Sequence, residues 1–366
     1  MPEPAPGRLY NANDLLDGFN PWDPIGYTLT WDFSIFRQFV LDGGPVPPSL
    51  AVRTVQANHD AVIADALRQF LKDVRRPLVG FMGGHSVLRD SPAYADIARL
   101  ARDLARQDFL LVTGGGPGVM EAAHLGVAFS RSPDEALDAA ITSISRVPNF
   151  PSLDDLFEPD GSVKASKVMK IADARDWLRV ALEVRATAPA ILPLSLAVPT
   201  WLYGAEPTMP FATHYAKYYQ NSIREEALVN NSRAGIIYGQ GGGGTMREIF
   251  QDVERNFYAP EVKDLTPMIF FSAAHYWEQD AVYNSTGGVK TPGINVKPFI
   301  ANILEYGLRS RGVEHAEKFK AKILFTTDLN TISDVLSDHA GAARRNLAFA
   351  LEAEPMKVTT ARINRT

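Results

Sequence analysis

The chain has 366 residues, 46% hydrophobic and 22% charged, which suits a globular protein of one large α/β domain or two ordinary ones. Its 37 basic and 42 acidic residues give a net charge of −5, so a surface that coats a nucleic-acid polymer is not expected, although one local basic pocket is compatible with that balance. Cysteine is absent, which excludes disulfides, thiolate metal ligands and a cysteine nucleophile.

The start of the chain, Met1 to Gly7, has no basic region followed by an apolar core, so no signal peptide is expected. No apolar run approaches the ~20 residues of a membrane helix, and a cytoplasmic protein with no membrane partner is the expectation. Residues 1–50 are rich in Pro, Gly, Asn and Asp, yet Trp22, Tyr27, Trp31, Phe33 and Phe36 argue for an arm lying on the body of the protein. The spacing of Val55, Val62, Ile63, Leu67, Phe70 and Leu71 predicts an amphipathic helix over 52–74. Residues 1–75 thus read as an arm and helix packed on a core that begins at residue 76.

A buried strand is predicted at 77–82, ending in Gly83-Gly84-His85-Ser86. A helix follows, with Ser91 as N-cap, Pro92 at its first position and apolar residues at helical spacing as far as Ala105. The second strand, 109–112, runs into Thr113-Gly114-Gly115-Gly116-Pro117-Gly118 and a helix at 119–124. A third strand is predicted at 141–144. The segment 146–220 is enlarged and less regular, with helix predicted at 172–185, strand at 190–197, an aromatic, Pro-rich loop at 199–212 and helix from 213 to 228. Then come a strand at 234–238, the run Gly239-Gln240-Gly241-Gly242-Gly243-Gly244 and a helix starting at Thr245. Strands at 267–271 and 321–325, helices at 298–309, 329–336 and 340–351, and a loose tail at 353–366 complete the chain. Strand, glycine turn and helix in repeated order imply right-handed βαβ units. The expected fold is α/β: a doubly wound, Rossmann-like parallel sheet with helices on both faces, forming a single domain over 76–352.

Glycine loops that follow strands and precede helices are anion sites, because backbone amides can approach the ligand and the helix dipole favours negative charge. Three generic readings compete for the loop 239–244. A dinucleotide site also needs an acidic residue ending the next strand, where this chain has Phe270-Phe271-Ser272-Ala273. A triphosphatase loop needs a Lys where Thr245 stands. A monophosphate or small anion is the better ligand. The structural reading makes Thr245-x-x-Glu248 a capping box, whose side chains serve only the helix amides. His124, His214 and His275 have no metal-ligand spacing with acids, so no metal is expected.

The combination resembles the LOG family of nucleoside 5′-monophosphate phosphoribohydrolases, also labelled lysine decarboxylase-like. The resemblance rests on Gly83 to Ser86, the continuous stretch Thr113 to Ala123, Arg224 and Gln240 to Glu248, and it covers roughly residues 75–340. It is nearest to the larger bacterial branch, in which an Ile-Arg-Glu segment, here Ile223-Arg224-Glu225, precedes the glycine loop. Gln240 replaces the usual Pro, and Glu225 stands where short members have Lys.

The resemblance implies hydrolysis of the N-glycosidic bond of an AMP-like nucleotide, with no cofactor, in a homodimer. It implies Glu248 as the carboxylate facing the sugar and Arg224 as its partner at the ribose or phosphate. Gly242, Gly243, Gly244 and Thr245 would bind the 5′-phosphate. Gly115, Gly116 and Gly118 would let sugar or base approach, with Met120 and Glu121 behind them, and His85 and Ser86 would touch ribose or base. A carrier of nucleotide or cofactor on the same fold, without hydrolysis, is the alternative. Lysine decarboxylation is disfavoured, because that chemistry calls for PLP on a lysine and no glycine loop here has one beside it.

Overall fold

A computed structural model describes residues 8–202, 207–259, 261–271, 273–309 and 312–352. The tail expected at 353–366 lies outside the described residues.

Seven short strands form one parallel sheet: β1 (Leu78–Met82), β2 (Leu110–Thr113), β3 (Ser195–Ala197), β4 (His214–Tyr215), β5 (Gly235–Tyr238), β6 (Met268–Phe271) and, last in the chain, β9 (Ile323–Thr326). The spatial order is β4-β3-β2-β1-β5-β6-β9. Every residue of β1, β2, β3, β5 and β6 is buried, as expected of parallel strands covered on both faces. The chain leaves β1 twice in opposite directions, first through β2 to β4 and then from β5 to β9. With right-handed crossovers, the two directions put helices on opposite faces. This is the doubly wound α/β architecture that the sequence predicts. The two short strands β7 (Val282–Tyr283) and β8 (Val289–Thr291) form a separate antiparallel hairpin.

The arm holds helices α1 (Ala12–Leu15), α2 (Trp31–Leu41) and α3 (Leu50–Val74). Tyr27, Phe33 and Phe39 are buried in the common core, whereas Trp22 stands in solvent. Tyr10 exchanges two backbone hydrogen bonds with Tyr215 (3.1 and 2.8 Å), so the arm covers the exposed edge of β4. Asp32 of α2 pins the loop after β3. Its carboxylate accepts from Trp201 Nε1 (2.8 Å), Thr208 Oγ1 (2.8 Å) and Lys217 Nζ (2.6 Å).

The next helices are α4 (Pro92–Arg106), α5 (Val119–Ala128), α6 (Asp134–Ile144) and α7 (Val168–Ala186). Ser91 caps α4 through the Tyr94 amide, with Pro92 in the first turn, as predicted. The strand expected at 141–144 is instead the last turn of α6. Leu137, Ala140 and Ile144 are its buried residues, at helical spacing, and Asp134 and Glu135 favour a helix start there. The helix expected from 213 begins only at Asn221, as α8 (Asn221–Asn231), because 214–215 is spent on the edge strand. Then follow α9 (Gly243–Phe257), α10 (Lys297–Arg309), α11 (Val313–Lys320) and α12 (Leu329–Glu352), the last continuous across the break expected between 336 and 340. From β9, α12 returns across the amino end of the sheet. Its His339 Nε2 lies 3.0 Å from the Arg233 carbonyl before β5, and Ser333 bonds Gln107 at the end of α4. The glycine loops after β1, β2 and β5 lie at the opposite, carboxyl end of the sheet.

Candidate functional site

In a sheet of this kind the ligand crevice forms where strand order reverses, outside the carboxyl ends of the strands. Here that point lies between β1 and β5. The loops after β1, β2 and β5 meet there. Gly84 N donates to Gln240 O at 2.7 Å, Gly239 N to Met82 O at 2.8 Å and Val119 N to Gly84 O at 3.4 Å. Gly118 has φ +71°, and a Cβ on it would fall 2.4 Å from the Gly84 carbonyl, so this position requires glycine both for its backbone and for the contact.

The glycines divide into two groups. Side chains at Gly83 and Gly239 would strike Val119, and one at Gly241 would strike Thr245 Oγ1 at 2.1 Å. These residues let protein pack on protein. Gly242, Gly243 and Gly244 are exposed, with nothing within 4 Å of the space a Cβ would occupy. They form the N-cap and first two residues of α9, and no side chain caps that helix. The helix starts two residues earlier than the sequence suggests. The capping box of the structural reading, with Thr245 as N-cap, is therefore not formed, since Thr245 and Glu248 both lie inside the helix. The leading amides of α9 face an open, glycine-lined approach, the arrangement that suits an anion.

One turn further into α9, Glu248 meets Arg224 of α8. Arg224 Nη1 donates to Glu248 Oε1 at 3.1 Å, and Arg224 Nε donates to the Val198 carbonyl, just past β3, at 2.8 Å. Both side chains are largely buried, 6% and 8% exposed. Arg224 Nη2 occupies the space above Gly114, 1.9 Å from where a Cβ would stand, and the Met120 sulfur lies against the same spot. Elements that follow β2, β3 and β5 thus converge on one guanidinium. A second ion pair joins the same helices: Arg247 Nε lies 2.7 Å from Glu225 Oε2. The Glu225 carboxylate is therefore matched by a cation on α9.

The remaining expected residues separate by burial. His85 and Ser86 are exposed at the lip after β1. Gly115 and Gly116 are buried, and the Cβ space at Gly115 is filled by Ala197 and Pro199. Glu121 is fully buried. Arg89 grips it with two bonds (2.6 and 2.8 Å), the Tyr94 hydroxyl adds a third at 3.1 Å, and the Arg89 guanidinium stacks 3.9 Å above Trp177. The carboxylate expected behind the glycine loop is thus held in a buried ion pair. Beside it, Thr113 Oγ1 lies 2.9 Å from His124 Nε2 and accepts from the Gly115 amide, and burial pushes His124 down to about 3.

Two supporting groups carry no motif in the sequence. Tyr276, after β6, donates its hydroxyl to the Gly241 carbonyl at 2.5 Å, and burial raises that phenol's pKa. The Val198 carbonyl is backbone, so no residue type announces it. Among the described residues no helix is long and apolar enough to cross a membrane, and no three His, Asp or Glu side chains gather to hold a metal ion. No family model matches the chain, and a comparison with the curated proteins returned no match.

Proposed function

We propose that the protein hydrolyses the N-glycosidic bond of a nucleoside 5′-monophosphate such as AMP, releasing free base and ribose 5-phosphate. The observation that carries this reading is a buried Arg224–Glu248 pair one turn behind an exposed, uncapped glycine helix start, at the reversal point of the sheet. The 5′-phosphate binds the amides of Gly243, Gly244 and Thr245. That places the sugar toward Glu248 and His85 and Ser86 at the rim. Cleavage gives C1′ oxocarbenium character, which a carboxylate stabilises. Glu248 accepts a proton from the attacking water. The water oxygen bonds to C1′, the C1′–N bond breaks with its electron pair going to the base, and the proton passes to the departing base. Such proton transfer is worth roughly 10²- to 10⁴-fold. Arg224, fixed by Val198, keeps the carboxylate in one orientation and offers a remaining N–H to ribose or phosphate. A cytoplasmic homodimer belongs to the same reading, and a monomer in sedimentation would remove that part of it.

The test is base release from a panel of nucleoside monophosphates by the wild-type protein and Glu248→Gln. The variant is expected to bind AMP and release no base; normal turnover would refute the mechanism. One observation favours a second reading: Arg224 and Glu248 neutralise each other, as a structural pair does. Tight AMP binding by the wild type without base release would select a nucleotide carrier.

A further inference from the structure

The helix that delivers Arg224 has an unusual start. Gln220, its N-cap, makes no side-chain bond to the helix. The buried residues of its first turns, Asn221, Arg224 and Glu225, are polar, and its buried apolar residues, Leu228 and Val229, come only later. Leu228 and Val229 fix the far half of α8, while its beginning is placed by polar contacts together with the buried rings of Tyr218 and Tyr219 that lead into it.

The polar contact to the backbone there comes from the arm. Asp60 of α3, 1% exposed, accepts the Tyr219 amide on Oδ1 and the Gln220 amide on Oδ2, each at 2.9 Å. One carboxylate thus takes both backbone donors that lead into α8, where the helix dipole favours negative charge. The carboxylate is itself held: His59 Nδ1 lies 3.0 Å from Asp60 Oδ1, and His59 Nε2 lies 2.9 Å from the Tyr10 hydroxyl. Tyr10 is the residue that pairs with β4, so the relay ends on the sheet edge.

We propose that Asp60 is a positioning residue for the site: it fixes the first turn of α8 and, through it, the Arg224 guanidinium between Val198 and Glu248. The inference rests on the role given to Arg224 above. Bonds of 2.8 and 3.1 Å tolerate only a few tenths of an ångström before they fall outside hydrogen-bond range. A small slip of α8 along its axis would release one or both. The arm, which lies outside the motif-bearing region, is then a built part of the site.

The test is a cycle of Asp60→Asn, Arg224→Ala and the double variant, with Asp65→Asn as a control on the same helix. Asp65 is exposed, and its partner is Arg68. Each protein is read for base release from AMP and for amide hydrogen exchange in the peptide covering 216–226. Asparagine keeps one acceptor and turns a donor toward the other amide. Asp60→Asn is therefore expected to lower kcat/KM by about tenfold to a hundredfold, the worth of one to two charge-assisted bonds. Exchange at Tyr219 to Arg224 should rise, that of β1 and β5 should not, and Asp65→Asn should match wild type. In the Arg224→Ala background the same change should cost almost nothing further, because it acts through Arg224. Additive losses, or exchange at Tyr219 to Arg224 unchanged in Asp60→Asn, would overturn the proposal. If Asp60→Asn does not fold, Asp60→Glu, which keeps the charge and moves it by a methylene, should lose activity several-fold; wild-type turnover in it would also overturn the proposal. A wild-type protein that releases no base refutes the proposed hydrolysis, and the exchange measurement still decides whether Asp60 holds α8.

Discussion

Gly114→Ala tests the site without touching either charged residue. The added Cβ would stand 1.9 Å from Arg224 Nη2, 2.8 Å from the Met120 sulfur and 3.1 Å from Arg224 Cζ. Non-bonded heavy atoms want about 3.5 Å, so the guanidinium must move by about 1.5 Å. Gly114 is not among the positive-φ glycines, so alanine fits its backbone and the displacement falls on side chains. After such a shift Arg224 cannot keep both its 2.8 Å bond to Val198 and its 3.1 Å bond to Glu248. Losing one bond to a charged group costs about 1.5–3 kcal/mol of stability, less whatever the displaced arginine recovers. The effect on rate should be larger, since misplacing a reacting or orienting group by ~1 Å can cost about 10²-fold. The assay is kcat/KM for base release from AMP beside thermal unfolding of the same preparation. A folded Gly114→Ala protein with wild-type kcat/KM would refute the claim that Arg224 works from the place in which it is seen.

Three further outcomes are expected. Gly243→Ala meets no atom within 4 Å and replaces glycine in a helix, so it should stabilise the protein by about 0.4–1 kcal/mol while weakening AMP binding; stabilised protein with unchanged affinity would mean that the exposed glycines do not receive the phosphate. Arg89→Met leaves the Glu121 carboxylate buried without its cation, and urea unfolding should show a loss of about 3–5 kcal/mol; a much smaller loss would show that the pair is expendable. Burial holds His124 down to about 3, and burial followed by Lys322 holds His339 down to about 4. Both folded values lie below the unfolded one, so the unfolded chain protonates first. Their contribution is complete above about pH 6.5 and is lost as pH falls toward 4 and then 3, at up to about 1.4 kcal/mol per pH unit for each. A His124→Asn protein with the same slope of unfolding free energy against pH would refute this for His124.

Strands β1, β2, β5 and β6 were legible because each is a short, mostly apolar stretch, and each proves buried throughout. A two-residue edge strand such as β4 has no periodicity to read, so 213–220 looked like the beginning of α8. The run ending at Ile144 failed for the reason short apolar runs often fail: four residues do not distinguish a strand from the last turn of a helix. The roles of Asp60 and Asp32 were hidden differently. Their partners lie about 160 residues or more along the chain, and nothing near them in sequence marks a carboxylate as bound to backbone amides or to a buried lysine.

The glycine run shows where sequence reading stops and geometry begins. Gly241 and Gly242 are the same letter in one string, yet one fits against a threonine hydroxyl and the other opens onto free space. The starting residue of α9 bears on the capping reading of Glu248. Had the helix begun just after Thr245, that hydroxyl and the Glu248 carboxylate would have been occupied with backbone amides, as in a capping box. With Gly242 as N-cap, Thr245 is the third helical residue and Glu248 the sixth, beyond reach of the free amides. What engages the Glu248 carboxylate instead is an arginine brought from another helix, held by the carbonyl beyond β3 and given room by Gly114. A carboxylate placed for capping needs none of those three supports.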